Sequence, residues 1–263
     1  MQASELTLQK VASPMLYGIV GVVLLLVAWQ WGSAAVGSET ALPSVPSVVL
    51  ALGTLALETT FWGEVAVTFG IALLGWGIAA IVGVLLGVFV GTSVTVRAAT
   101  RVVLEFLRPI PAIVILPLVM LILGPTPEMS VFLIVFGVTL PIAAQTAAGV
   151  ESVDPVMRNT ARSFGMRPAE VLWSVVLPGA SPYIGTAMRV AAPITLILTV
   201  VAGMLGGAPG IGSSLSIAQL AGRTEDIFAY VLVLGMMGLL LQAAAVRTER
   251  RLLHWHSSYR KGE

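Results

Sequence analysis

The charged side chains that could do chemistry concentrate in one segment of an otherwise apolar sequence, residues 153–178. Arg158, Arg162 and Arg167 recur every four or five residues there, between Asp154 and Glu170. Guanidinium groups form paired hydrogen bonds with carboxylates, so these arginines can pair with acidic groups of a partner. It does not bring together a nucleophile and a base, so the segment is not expected to catalyse a reaction.

Groups for catalysis or metal binding are scarce in the rest of the sequence. The chain has no cysteine, which excludes disulfides, thiol catalysis and thiolate metal sites. Its two histidines, His254 and His256, fall in a polar tail beside Trp255, and no metal site is predicted. The phosphate-binding pattern Gly-x-x-x-x-Gly-Lys-Ser/Thr is absent, so the chain is not expected to hydrolyse ATP itself.

The composition is that of an all-α integral membrane protein. Of the 263 residues, 57% are hydrophobic and 10% are charged, whereas about a quarter are charged in soluble domains. Mean hydropathy is +0.97. The net charge of +1 gives no indication of a nucleic-acid partner.

Seven charge-free runs locate the membrane helices, and Val171–Met188, which Pro178 and Pro182 interrupt, is interpreted as the approach to the fifth span. A helix needs about 20 residues to cross a bilayer, so six transmembrane helices are predicted in a single domain, residues 1–263. The first run exceeds the h-region of a signal peptide and is interpreted as an uncleaved anchor. The predicted spans are 15–36, 65–91, 103–123, 129–150, 181–204 and 227–246. The connecting parts are the N-terminus 1–14, an outer segment 43–63, the charged loop 151–178, an outer loop 205–226 and the tail 247–263.

Lysine and arginine set the predicted orientation. With both termini in the cytoplasm, twelve basic residues lie on or near the inner side, and Arg223 alone lies outside among six acidic residues. The inner set is Lys10, Arg97, Arg101, Arg108, Arg158, Arg162, Arg167, Arg247, Arg250, Arg251, Arg260 and Lys261.

Residues 153–178 are too charged for the hydrocarbon core and predict a cytoplasmic helix–Gly–helix hairpin between spans four and five. Asp154 is a good N-cap with Pro155 following at the first helical position. Gly165 stands where a helix ends in a left-handed residue. Pro168 begins a second helix, which we expect to end at Pro178. The hairpin either rests on the membrane surface or docks on a partner, and a connector of this length favours docking.

Two further patterns leave alternatives open. Three prolines in 109–117 indicate either a packing kink or a helix that lines a pathway. The Gly-rich stretch 203–222 predicts an irregular or re-entrant outer element, which is an exposed loop or an outer gate. Repeated glycines in the second span favour close helix packing. The candidate path residues are Pro111, Thr139, Gln145, Thr146, Arg189, Thr195, Thr199 and Gly203.

Arg189 is the basic residue of this set, and it lies within the predicted fifth span. It is either snorkelling toward the cytoplasmic headgroups or a charge that lines the inner half of an anion path.

The stretch "NTARSFGMRPAEVLWSVVLP" resembles the EAA loop of the permease subunits of ABC importers. Asn159, Thr160 and Ala161 stand at the E-A-A triplet, and Gly165 and Pro178 match in register. "LPSVPSVV" and "LRPIPAIVILPLVMLILG" are similar to the nitrate, sulfonate, taurine and bicarbonate branch of that family. This branch often has Glu where this chain has Gly203.

The resemblance implies a type I importer in the bacterial cytoplasmic membrane. Two permease copies would form the path for a small anion, which an extracytoplasmic binding protein would deliver. Two cytosolic ATPase subunits would carry ATP and Mg²⁺, and this chain would need no cofactor. The implied contact with the ATPase is Asp154, Arg158, Asn159, Thr160, Ala161, Arg162, Ser163, Phe164, Gly165 and Arg167. The alternative is an ion-coupled secondary transporter, although no inverted repeat or deep carboxylate is visible.

Overall fold

The computed structural model describes residues 14–36 and 42–252, and the described chain is helical. The prediction of an all-α membrane protein is confirmed. Predictions for the N-terminus to residue 13 and for His254 and His256 in the tail lie outside the described residues. The helices are α1 (Pro14–Val36), α2 (Val45–Leu57), α3 (Thr59–Thr92), α4 (Val94–Leu107), α5 (Leu116–Leu123), α6 (Pro127–Ser152), α7 (Pro155–Ser163), α8 (Pro168–Val171), α9 (Leu177–Gly206), α10 (Ile211–Leu220) and α11 (Thr224–Leu252).

Five helical stretches are long and apolar enough to cross a membrane: α1, α3, α6, the run from α8 through α9, and α11. A sixth crossing is possible through α4 and α5, which meet at 76°. The predicted continuous span 103–123 is therefore wrong as a single helix, because residues 103–107 belong to α4. The prolines at 109 and 111 break the chain there, and a short 3₁₀ turn, Ala112–Ile115, leads into α5.

The centre of the fold is the packing of α6 against α3 and α9. The closest approach occurs along a glycine seam on α3. A Cβ added at Gly75, Gly83, Gly87 or Gly91 would lie within 2.5–2.8 Å of α6 atoms. No larger residue fits at these positions, so the glycines serve helix packing, as their spacing predicts.

The outer segment is the short helix α2, which Ser44 caps by accepting a hydrogen bond from the Ser47 amide at 3.3 Å. The preceding helix α1 is fixed to it by two polar contacts. The Trp29 indole donates to the Pro43 carbonyl at 3.0 Å, and the side-chain Oε1 of Gln30 accepts from the Val45 amide at 3.0 Å. The rest of α1 is largely exposed, as expected for a helix that faces lipid.

The Gly-rich stretch after α9 contains the short helix α10, which packs against the membrane helices and is not an exposed loop. Gly207 and Gly210 have positive φ angles and reverse the chain. The Ile211 amide at the start of α10 donates to the Thr68 hydroxyl on α3 at 2.9 Å, in a buried contact. Ile211 and Leu215 are buried in a cluster with α3, α9 and α11, so α10 is part of the core.

Candidate functional site

The first arm of the hairpin, α7, has the caps that the sequence predicts. The Asp154 carboxylate accepts a hydrogen bond from the Val156 amide at 2.8 Å, and Pro155 occupies the first helical position. At the other end Gly165 has φ +79°. The Gly165 amide donates to Arg162 at 2.9 Å and the Met166 amide to Ala161 at 3.2 Å, which is the Schellman pattern. The turn between the two arms is therefore fixed by the backbone.

The second arm begins at Pro168, where the Glu170 carboxylate accepts from the Arg167 amide at 2.7 Å. It does not end at Pro178, which corrects the predicted boundary between the loop and the fifth span. A π turn, Leu172–Val176, joins α8 to α9, and the whole run is 39 residues long. The wide turn accommodates Pro178, because proline has no amide for the usual helical bond. At 1.5 Å per residue the run reaches about 58 Å, longer than the ~30 Å hydrocarbon core.

The inner face of the hairpin is anchored to the membrane helices. Ala161 is buried in an apolar cluster with Val171, Val176 and Ala180. The guanidinium of Arg158 donates to the Val150 carbonyl at the end of α6. Both side chains therefore contact their own chain; Ala161 is buried there, whereas Arg158 remains partly exposed.

The outer face of α7 has no partner in the described chain. Three apolar side chains are exposed there: Phe164 is 84% exposed, Val156 67% and Met157 58%. The remaining predicted contact residues are also exposed around them, namely Asn159, Thr160, Arg162, Ser163 and Arg167. An apolar patch within a polar, basic ring has the composition of a protein-binding surface.

An ion pair that the sequence reasoning missed ties the base of the hairpin to α3 and α4. Arg97 at the start of α4 pairs with Glu151 at the end of α6, with 2.9 Å between Nη2 and Oε1. Its guanidinium also donates to the carbonyls of Val90 and Gly91, the last turn of α3. A single arginine thus joins three helix ends. The two charges lie 54 residues apart, and only the packing of α3 on α6 brings them together.

Of the predicted path residues, Gln145 lines a cavity. The cavity lies between α6 and α9 and has a volume of about 230 Å³. Its polar side chains are Gln145 and Thr186, and Pro141 and Val190 are among its apolar walls. Thr186 was not singled out in the sequence, because a lone threonine in an apolar helix carries no distinguishing pattern.

The threonines predicted for the path lie in packed interfaces. Thr195 and Thr199 are buried and donate to carbonyls of their own helix, Ala192 at 2.7 Å and Thr195 at 2.8 Å. Thr146 is fully buried against the Gly87 position of α3, and Thr139 is buried nearby. The exposed Pro111 lies in the break between α4 and α5.

Gly203 lies where α9 packs closely against the start of α10. A Cβ at this position would lie 2.9 Å from the Cα of Gly212 and 3.0 Å from the amide nitrogen of Ser213. A glutamate at position 203 therefore cannot be accommodated unless α10 moves. The glycine here is explained by the close approach of α9 and α10.

Arg189 pairs with a residue of the last helix. Its Nη1 lies 3.5 Å from Oε2 of Glu249, whose side chain is 3% exposed. It also lines an open cavity of about 490 Å³ between α9 and α11, together with Gln242. The cation therefore joins α9 to α11.

These features define a polytopic helical membrane protein with a folded hairpin between the membrane helices α6 and α9. The chain matches the family described as "binding-protein-dependent transport system inner membrane component" over residues 79–253. The chain belongs to this family and is an inner-membrane permease subunit of an ABC importer. The resemblance stated from the EAA-type stretch is thereby confirmed.

Two relatives and one solved structure illustrate the similarity. The taurine transport system permease protein TauC of Escherichia coli is 30% identical over 239 residues, which are 89% of this chain and 87% of TauC. The putative aliphatic sulfonates transport permease protein SsuC of Bacillus subtilis is 28% identical, with 90% of this chain and 86% of SsuC covered. A bacterial ABC transporter involved in the import of the acidic polysaccharide alginate shares the fold, with a TM-score of 0.66 at 15% identity, over 90% of this chain and 95% of that one.

Proposed function

We propose that this permease couples solute passage to ATP hydrolysis in a partner subunit through the outer face of α7. The observation that carries the proposal is the exposed apolar patch of Val156, Met157 and Phe164 on a hairpin with a fixed turn. Such side chains gain free energy only when another surface covers them. Arg162 and Arg167 at the rim suit carboxylates on that surface. ATP and Mg²⁺ are bound by the partner, and this chain does not hydrolyse ATP.

We propose further that two copies of the chain assemble with two ATPase subunits and an extracytoplasmic binding protein. Both termini and the hairpin face the cytoplasm, and α2 and α10 lie on the opposite side. The distribution of lysine and arginine supports this orientation. The same arrangement puts the apolar patch of the hairpin where a soluble ATPase can reach it.

The solute that we propose is a small organic sulfonate, of which taurine is an example. The names of the two relatives support this class. The cavity between α6 and α9 supports a path along these helices, because Gln145 and Thr186 offer hydrogen-bond donors to sulfonate oxygens. The walls are otherwise apolar, so passage is weakly selective and the binding protein sets most of the specificity.

Single cysteines test the orientation directly, because the chain has none of its own. Cysteines replace Ser163 on the hairpin and Glu225 at the start of α11, one in each variant. We expect a membrane-impermeant maleimide to label position 225 in intact cells and position 163 only after the cells are opened. Labelling of position 163 in intact cells rules out the proposed orientation and with it access of the hairpin to a cytosolic ATPase.

A further inference from the structure

A second cavity, of about 250 Å³, lies between α3, α4 and α6 and is separate from the cavity at Gln145. Most of its wall is apolar, with Leu86, Leu140, Ala144 and Ala148 among the lining residues. Along α6 it reaches from Leu140 to Glu151, which is about 16 Å of helix. This matches the depth of one leaflet, half of the ~30 Å hydrocarbon core. The shape and lining suit a single acyl chain.

Two arginines are among the residues that line this cavity. Arg97 is paired with Glu151 at 2.9 Å, so that its charge is balanced. Arg108 also lines the cavity, and it has no ion pair or side-chain hydrogen bond to any other residue of 14–36 or 42–252. The cavity wall therefore presents one positive charge, at Arg108, that the described chain leaves unbalanced.

The helix α4 begins at the same end of the cavity as the Arg97–Glu151 pair. On α4 the apolar side chains of Val102, Val103 and Phe106 are exposed, and Arg101 and Glu105 form an exposed pair. Such a mixture of exposed apolar and charged side chains suits contact with the headgroup region of a bilayer. In the orientation proposed above, the Glu151 end of the cavity faces the cytoplasmic headgroups, and the wall toward Leu140 extends into the hydrocarbon.

We propose that this cavity is a binding site for an anionic phospholipid. One acyl chain lies along the α6 wall, and the phosphate contacts Arg108. Basic pockets between membrane helices on the cytoplasmic side select such lipids. A zwitterionic lipid brings an ammonium group along with its phosphate, so it leaves the charge of Arg108 without a net counterpart. The site is independent of the solute and of the ATPase.

Native mass spectrometry of the full chain, purified in detergent and depleted of lipid, tests this site. Phosphatidylglycerol and phosphatidylcholine with the same acyl chains are titrated separately. We expect phosphatidylglycerol to bind more tightly, and Arg108→Gln to weaken its binding about fivefold, as follows from about 1 kcal/mol per basic residue. Arg108→Lys should restore it. The matched control is Arg247→Gln, an exposed arginine on α11 that should bind as the parent does.

Two further measurements separate a lipid site from a site for free anions. Ala148→Phe narrows the cavity from an exposed wall position and should weaken binding of both lipids. Glycerol phosphate, which has the charge without the acyl chain, should not displace bound phosphatidylglycerol at equal concentration. The proposal is overturned if glycerol phosphate displaces the lipid, if Arg108→Gln binds phosphatidylglycerol as the parent does, or if the two lipids bind the parent equally.

Discussion

Phe164 at the tip of the hairpin is the sharpest place to perturb the proposed contact with the ATPase. In the isolated chain 84% of the side chain is exposed, so truncating it removes almost no internal packing. We therefore expect Phe164→Ala to leave the folding and membrane insertion of the permease unchanged. Its effect should appear where the permease and the ATPase meet, because a phenylalanine in a partner pocket is an anchor of such contacts.

The expected loss follows from the exposed fraction. Burying a whole phenylalanine side chain contributes about 1.5–3 kcal/mol. Since 84% of the side chain is available for burial by a partner, the contact loses roughly 1.3–2.5 kcal/mol. That corresponds to roughly a tenfold to seventyfold weaker affinity of the ATPase for the permease. The assay is equilibrium binding of the purified ATPase to the permease in nanodiscs, with ATP-driven uptake in proteoliposomes as the second readout.

Phe106→Ala is the matched control, because Phe106 is 71% exposed but lies on α4, outside the hairpin. This variant should bind the ATPase as the parent does. If Phe164→Ala also binds the ATPase with the parent's affinity, the outer face of α7 is not the contact. If both variants weaken binding alike, the effect is general and does not assign the site.

Three other changes test separate parts of the fold. Gly203→Ala should lower the stability of the permease by about 1–3 kcal/mol, because its Cβ would lie 2.9 Å from Gly212. Thermal unfolding measures this against Gly235→Ala, where a Cβ meets no atom within 4 Å. Gln145→Trp should fill the cavity between α6 and α9 and cut uptake at least about tenfold, while the ATPase stays bound. The control Leu220→Trp, at an exposed position, should transport as the parent does. If Gln145→Trp also transports as the parent does, this cavity is not part of the path. Ala161→Asp should destabilise the permease by more than about 2 kcal/mol, because it buries a polar group within the chain, and the exposed Ser163→Asp should not.

The parts of the fold that the sequence predicts are those set by local chemistry. Asp154, Pro155 and Gly165 define the ends of α7 through their own backbone preferences, and the structure has all three in these roles. The glycine seam of α3 was also predictable, since small residues four apart indicate close helix packing. These signals act over a few residues and need no knowledge of the tertiary fold.

The parts that could not be predicted depend on tertiary packing. Ala161 faces inward because Val171 and Val176 fold back on it, and a nine-residue helix does not reveal which face is covered. Pro178 usually indicates a helix end, but the π turn before it keeps the helix continuous. The start of α10 is held by a hydrogen bond from the Ile211 amide to the Thr68 hydroxyl, and these two residues are 143 positions apart in the sequence.

The central claim is that the hairpin transmits the state of the ATPase to the membrane helices, and the ratio of solute imported to ATP hydrolysed tests it most directly. The variant is Gly165→Val, since φ of +79° at this position is strained for a valine by about 1–3 kcal/mol. Nothing lies within 4 Å of its Cβ, so the change alters the turn and not the packing. In proteoliposomes with the ATPase, the binding protein and taurine, we predict that the variant hydrolyses ATP but imports several-fold less taurine per ATP than the parent. An unchanged ratio would contradict the claim.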